Sequence, residues 1–165
     1  MNIRFAEKQD LPALVDIYNQ AIAAQCIAVL EPVTPQARQA WFDEHPRESH
    51  PILIAESQDA ILGYSYFSAY RPGRTALRHT AELSYFVDYK HHGQGVGSAL
   101  LEACIQSCPE LKIKTLFAIL LETNVSSIGL LKKFKFEQWA HLPGVAEING
   151  VAVGQVYFGR KTESM

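Results

Sequence analysis

Net charge is the first thing this sequence lacks: 15 lysines and arginines against 17 aspartates and glutamates leave −2 over 165 residues. A chain so balanced has no basic stripe for a nucleic-acid backbone, whose binding rests on clustered Lys and Arg. Long apolar runs are missing too. No stretch approaches the roughly 18 residues of a membrane helix, and the first residues hold no signal-peptide core, so no membrane partner is expected and the cytosol is the default compartment. Cysteine is scarce and poorly spaced for a framework. Cys26, Cys104 and Cys108 are an odd count without a C-x-x-C pair, which fits neither a disulfide scaffold nor a structural zinc site, and no metal is expected. Cys104 and Cys108 lie one helical turn apart on an apolar face, as small buried hydrophobes do. Internal repeats, low-complexity tracts and linkers are also lacking. What is present, 48 % apolar and 19 % charged residues, is the composition of an ordinary globular protein, and residues 1–165 read as one domain around one core.

The most informative stretch runs from Thr80 to Leu101, TAELSYFVDYKHHGQGVGSALL. Ala81, Leu83, Tyr85 and Val87 alternate with Thr80, Glu82 and Ser84, a period of two that predicts a strand. After Gly93, Gly95 and Gly97 the apolar Leu100, Leu101, Cys104 and Ile105 fall at helical spacing. A glycine turn between a strand end and a helix start is an anion site in kind, because free N–H groups and the helix dipole favour a phosphate that glycine lets approach closely. A P-loop would need lysine where Ser98 stands, and a dinucleotide fingerprint would place its third glycine one position later. On the glycines alone, a turn that only packs helix against strand is as good a reading as phosphate binding.

Around this stretch, Ile3–Phe5 predicts a short strand, and Asp10 an N-cap for a helix through Leu14, Ile17, Tyr18 and Ile22. Thr34-Pro35 predicts a second helix that turns Ala37, Ala40 and Trp41 inward and ends at His45-Pro46. Ile52–Glu56 and Ile61–Tyr70 predict a hairpin turning at Ser57-Gln58-Asp59, so three antiparallel strands precede the glycine turn. Beyond Pro109, Ile113–Leu121 predicts a buried strand, Val125–Phe134 a helix, and Asn149-Gly150 the turn of a closing hairpin. The sum is a three-layer mixed α/β fold around one twisted sheet.

Val87–Leu101 resembles the pyrophosphate-binding signature of the GCN5-related N-acetyltransferases (GNAT), Q/R-x-x-G-x-G/A after a strand, with His92 at the first position. Glu31-Pro32-Val33-Thr34-Pro35, Trp41-Phe42, Pro51–Glu56, Arg74-Thr75-Ala76 and Thr80-Ala81-Glu82 resemble, in order, the phosphinothricin N-acetyltransferase branch. The resemblance covers nearly all the chain to about Phe136. It implies the GNAT fold and acetyl-CoA as co-substrate. The pyrophosphate would lie on the amides of Gly93, Gln94, Gly95, Val96, Gly97 and Ser98. Pantetheine would pair as a false strand with Tyr85, Phe86 and Val87, and Asn124 would hydrogen-bond the pantetheine arm. The loop Cys26–Thr34 would shape acceptor choice, and family habit together with the apolar terminal hairpin implies a homodimer.

Acetyl transfer to an amine near pKa ~10 needs a base, since such an amine is almost wholly protonated at neutral pH. In the T-x-E context of this branch Glu82 is the implied base, acting directly or through water. Read without the family it is a strand glutamate paired with Lys90 or an arginine. Arg71, Arg74 and Arg78 suit bidentate capture of an acceptor carboxylate or phosphinate, against the alternative of solvated loop arginines. The resemblance therefore implies a phosphinothricin, methionine sulfoximine or sulfone type of acceptor. Two departures stand against a simple transfer of roles. Leu131 and Lys135 replace the tyrosine and glycine of L-Y-x-x-x-G-F, so no protein acid is assigned to the thiolate, with Tyr157 and His141 as weak substitutes. Val145–Val151 replaces the branch's usual G-F-K-x-G-x-W-x-D. A polyamine, aminoglycoside or protein amine as acceptor, or a non-catalytic acyl-CoA-binding module, are the alternatives.

Overall fold

The structure, a computed structural model, describes residues 1–58 and 60–162. Seven strands form one mixed sheet: β1 (Asn2–Phe5), β2 (Ile52–Ser57), β3 (Ala60–Ala69), β4 (Thr80–Val87), β5 (Thr115–Leu121), β6 (Glu137–Ile148) and β7 (Val151–Lys161), in the order β1-β2-β3-β4-β5-β7-β6. Among the described residues only β4 and β5 run parallel. A parallel pair needs a crossover, and α3 (Val96–Ser107), which follows the glycine turn, supplies it. The other helices are α1 (Leu11–Ala23), α2 (Pro35–Asp43) and α4 (Val125–Lys133).

The strand period sorts β4 onto two faces. Ala81, Leu83 and Tyr85 join Phe67, Leu116, Ala118 and Phe158 beneath Leu101, Cys104 and Cys108 of α3 and Leu131 of α4. Each such side chain fully withdrawn from water stabilises by about 1.5–3 kcal/mol. Phe86 lies on the opposite face with Tyr64 and Tyr66, under Leu14 and Ile17 of α1 and Trp41 and Phe42 of α2. Helices on both faces of a mixed sheet make the three layers that the patterning predicts.

Local details differ where side chains found stronger partners. Asp10 does not cap α1 with its side chain. Its carboxylate instead accepts the Glu7 N–H at 2.7 Å and pairs with Arg4 at 2.8 Å, and Arg4 also reaches Glu56 at 2.8 Å, which ties β1, β2 and the start of α1 together. Thr34 does cap α2, accepting the Ala37 N–H at 3.2 Å. Ala37 and Ala40 face solvent, however; Arg38, Trp41 and Phe42 make the inner side of α2. The strand expected from Ile113 begins at Thr115, because the Ile113 N–H closes the end of α3 on Cys108 O at 2.9 Å. Asn149 and Gly150 both take positive φ, 51° and 76°, the twist a two-residue hairpin requires. Ser57 and Ala60 pair across the β2–β3 turn; Asp59 lies outside the described residues.

Candidate active site

β4 and β5 are laddered over three pairs, Thr80↔Thr115, Ala81↔Leu116 and Glu82↔Phe117. Beyond Glu82 each strand follows its other neighbour, β4 staying on β3 as far as Val87↔Gly63 and β5 on β7 as far as Leu121↔Gln155. A wedge opens between them. The edge of β4 from Leu83 to Val87 has no strand partner on that side, and backbone groups left so must find other ones. Gly63 lets β3 hold this arm of β4, since a Cβ there would meet Phe86 O at 2.7 Å.

The wedge is the apex of a cavity of about 910 Å³, lined by Leu83–Val87, Ala118–Leu121, the glycine turn, α4 and the Cys26–Val29 segment. Gly93 (φ 74°) and Gly95 (φ 83°) are both left-handed, a conformation that suits glycine. Nothing stands within 4 Å of where a Gly95 Cβ would be. Ala99 N–H bonds Gly95 O at 3.0 Å, and the amides from Val96 to Ser98 are the ones a helix start leaves without a helical acceptor. Gly97 serves packing instead: its Cβ would lie 3.0 Å from Leu130 of α4.

Side chains stiffen the turn. Asp88 accepts the Lys90 N–H at 2.8 Å, Gln94 donates to Lys90 O at 3.1 Å, and a His92 ring nitrogen lies 3.0 Å from Val87 O. The Tyr89 ring lies 4.4 Å from that of His92, its N–H donates to Gln20 of α1 at 2.8 Å, and its hydroxyl sits 3.4 Å from Cys26 Sγ. The loop after α1 is thereby fastened to the glycine turn. On the opposite wall Asn124 accepts the Ser127 N–H at 3.2 Å, capping α4 while lining the cavity. Tyr85 donates to Ser127 O at 3.3 Å, and burial pushes its hydroxyl up to about 12. Leu131 is fully buried at this wall.

Glu82 is the last laddered residue of β4 and stands just beyond the cavity lining, half-buried. Among the described residues its carboxylate has no hydrogen-bond or ion-pair partner, neither Lys90 nor an arginine. Burial alone raises its pKa above the ordinary carboxylate value. Its strand neighbours are Ser68 on β3 and Phe117 on β5. Phe117 gathers the rings of Tyr70, Trp139 and Tyr157 at 5.0–6.1 Å.

Of the residues singled out from sequence, Tyr85, Phe86, Val87, Gly93, Gly95, Val96, Gly97, Ser98 and Asn124 all line this cavity, while Gln94 only supports the turn. Arg71, Arg74 and Arg78 sit exposed on the segment between β3 and β4, outside that lining, and Arg78 donates to Thr75 O at 3.1 Å. His141 lies 2.7 Å from Glu122, whose other oxygen accepts the Gly154 N–H, so the histidine pins β6 and does not line the cavity. Sequence reasoning passed over Tyr18, Tyr66 and Arg38, whose guanidinium lies 4.5 Å and 3.9 Å from the Tyr18 and Trp41 rings. It passed over the His45–Ser68 contact as well. No local pattern marks these, because each is made between layers.

The cavity, the unpartnered strand edge and the glycine cradle suit a long ligand with a phosphate at one end and amides along its arm. Residues 13–136 match the acetyltransferase (GNAT) family. The Bacillus subtilis protein YwnH, named as a candidate phosphinothricin acetyltransferase, is 38 % identical over 163 residues, covering 98 % of this chain and 99 % of that one. An L-methionine sulfoximine/L-methionine sulfone acetyltransferase of Pseudomonas aeruginosa is 34 % identical over 148 residues, 88 % of this chain and 86 % of that one. Among solved structures, a phosphinothricin acetyltransferase of Sinorhizobium meliloti in complex with acetyl-CoA superposes with a TM-score of 0.89 at 26 % identity, over 97 % of this chain and 87 % of that one.

Proposed function

Because the chain belongs to the acetyltransferase (GNAT) family, we propose that it moves the acetyl group of acetyl-CoA directly to the amino group of a small amino-acid-like acceptor of the phosphinothricin or methionine sulfoximine and sulfone type. The observation that carries the reading is the parting of β4 and β5 immediately after Glu82, so that this carboxylate's residue borders the apex of a cavity that also takes in the glycine cradle.

Each part of the chain then has a task. Amides from Gly93 to Ser98 hold the pyrophosphate, and the free edge of β4 from Leu83 to Val87 pairs with the pantetheine amides as an added strand. Asn124 keeps its cap and offers its amide N–H₂ to the same arm. Acetyl-CoA supplies an activated thioester, held beside the acceptor. Glu82 takes a proton from the acceptor ammonium, a role suited to a carboxylate whose pKa is raised by burial and which has no competing partner. Leu131 leaves the departing thiolate without a helix-borne acid, so solvent protonates it. The arginines at 71, 74 and 78 flank the strand that carries Glu82 and meet an anionic acceptor as it enters. The same reading assigns a cytosolic homodimer, supported by three free thiols and by the exposed Trp139, Val145 and Val151 of the β6–β7 hairpin; a single-chain mass at sedimentation equilibrium would remove the dimer.

The test is a thiol-release assay with acetyl-CoA across amino acids, their sulfoximine, sulfone and phosphinate analogues, polyamines, aminoglycosides and peptide amines. Turnover is expected with the amino-acid analogues. Preference for a cationic amine would overturn the acceptor class, and cofactor binding without turnover on any acceptor would overturn the enzyme.

A further inference from the structure

The proposed base has a neighbour whose protons can be followed. His45, just after α2, has Nδ1 2.5 Å from Trp41 O and Nε2 3.4 Å from Ser68 Oγ. A carbonyl oxygen can only accept, so Nδ1 carries the ring proton and Nε2 presents its lone pair to Ser68. The ring is clamped between Trp41 (4.9 Å) and Tyr66 (5.2 Å) and cannot turn away. Ser68 is the register partner of Glu82 across β3 and β4. Side chains so placed share a face, with Cβ atoms about 4.5–5.5 Å apart.

We propose that His45, acting through the Ser68 hydroxyl, sets the proton affinity of Glu82. This rests on Glu82 being the base. With neutral His45 the Ser68 proton is committed to Nε2, and Ser68 turns only lone pairs toward the carboxyl. Those lone pairs accept from a protonated Glu82 and repel an ionised one, so the carboxyl holds its proton more tightly and is the stronger base. A protonated His45 would donate to Ser68 Oγ instead and turn the hydroxyl proton onto Glu82, favouring the carboxylate. No atom is transferred for good; a single hydroxyl changes direction.

The surroundings keep His45 in the neutral form this requires. Burial lowers its pKa first of all, and His50 and Arg38 add to this by opposing a second positive charge, against the Trp41 carbonyl and Glu44, which favour one. Tyr66 faces the ring from β3. On its outer side an open cavity brings Glu7, Asp43 and Glu48 together with Lys8 and Arg47, a mixed set that leans weakly acidic.

The experiment is the acidic limb of kcat/KM for the acceptor, at saturating acetyl-CoA, in wild type, Ser68→Ala, His45→Phe and the double variant. Phenylalanine keeps the ring stack and removes the acceptor nitrogen. The limb is expected to move down by about half a pH unit in Ser68→Ala and by about one unit in His45→Phe, where the freed hydroxyl now donates to Glu82. The double variant should match Ser68→Ala alone. An unmoved limb in both single variants, or shifts that add in the double variant, overturns the inference. Should His45→Phe lose its native circular dichroism, an unmoved limb in Ser68→Ala is sufficient to overturn it. If in Glu82→Gln the wild-type limb gives way to a rise that follows the acceptor amine's own ionisation while these variants leave the limb in place, this inference falls alone; if Glu82→Gln keeps the wild-type limb, the proposed base falls and takes the inference with it.

Discussion

Glu82→Gln is the perturbation whose outcome is most tightly constrained. The amide has the same shape as the carboxyl, and Glu82 has no partner among the described residues to lose, so the fold should tolerate the change. Its raised folded-state pKa fixes the sign of the stability effect. A carboxyl held above its unfolded value favours folding most at pH below that value, and this contribution is lost as pH rises through the folded pKa. Glutamine carries no such dependence, so the variant should be at least as heat-stable as wild type at pH 7 and lose that margin toward pH 4. The rate should behave otherwise. At pH 7 only about one molecule in a thousand of an amine near pKa ~10 is unprotonated, and without a base only that fraction reacts. kcat/KM should therefore fall by about 100-fold or more at pH 7. The deficit should shrink about tenfold per pH unit as the free amine becomes abundant. Thiol release between pH 6.5 and 9.5 measures this. A loss independent of pH, or no loss, would refute Glu82 as the base, and a lower melting temperature at pH 7 would refute its description as an unpaired, desolvated acid.

Three further outcomes follow from other parts of the chain. Gly95→Val places a branched Cβ at a left-handed position in the cradle, so the KM for acetyl-CoA should rise at least tenfold before kcat changes; normal cofactor affinity by calorimetry would move the phosphate elsewhere. Lys135 ends α4 at φ 61°, where glycine relieves strain, and Lys135→Gly should raise stability by roughly 0.5–1 kcal/mol in urea unfolding although it removes a side chain. Cys104 and Cys108 are buried, and burial pushes both thiols up to about 12, so a disulfide-forming dye at pH 8 should titrate one thiol, Cys26, in the native protein and three after denaturation.

Much of this architecture could be read from local chemistry. Alternation along β4, the glycines before α3, Thr34-Pro35 and Asn149-Gly150 each act through their own backbone, so their positions follow from the residues themselves. Asp10 does stand at the N-cap position of α1, but Arg4, six residues back, and Glu7 offer its carboxylate better partners than the helix it precedes. The inward side of α2 was misread because an arginine stacked on two rings is as much a packing residue as an alanine. The glycine turn and β4 were legible as parts, but the wedge they bound depends on how far β4 and β5 stay paired, which no single segment encodes. His45 and Ser68 belong to different layers, and their meeting belongs only to the folded chain.

The three-pair ladder between β4 and β5 has a mechanical meaning as well. Among the described residues it is, with the bonds of Lys114 N–H and Thr115 N–H to His79 O beside it, the backbone seam by which β1–β4 and β5–β7 hold to one another, and a guest laid along the open edge would stitch that seam for several residues more. Acetyl-CoA would then act as a rivet as much as a reagent. Saturating the protein with it should displace the melting transition upward in step with the logarithm of its concentration.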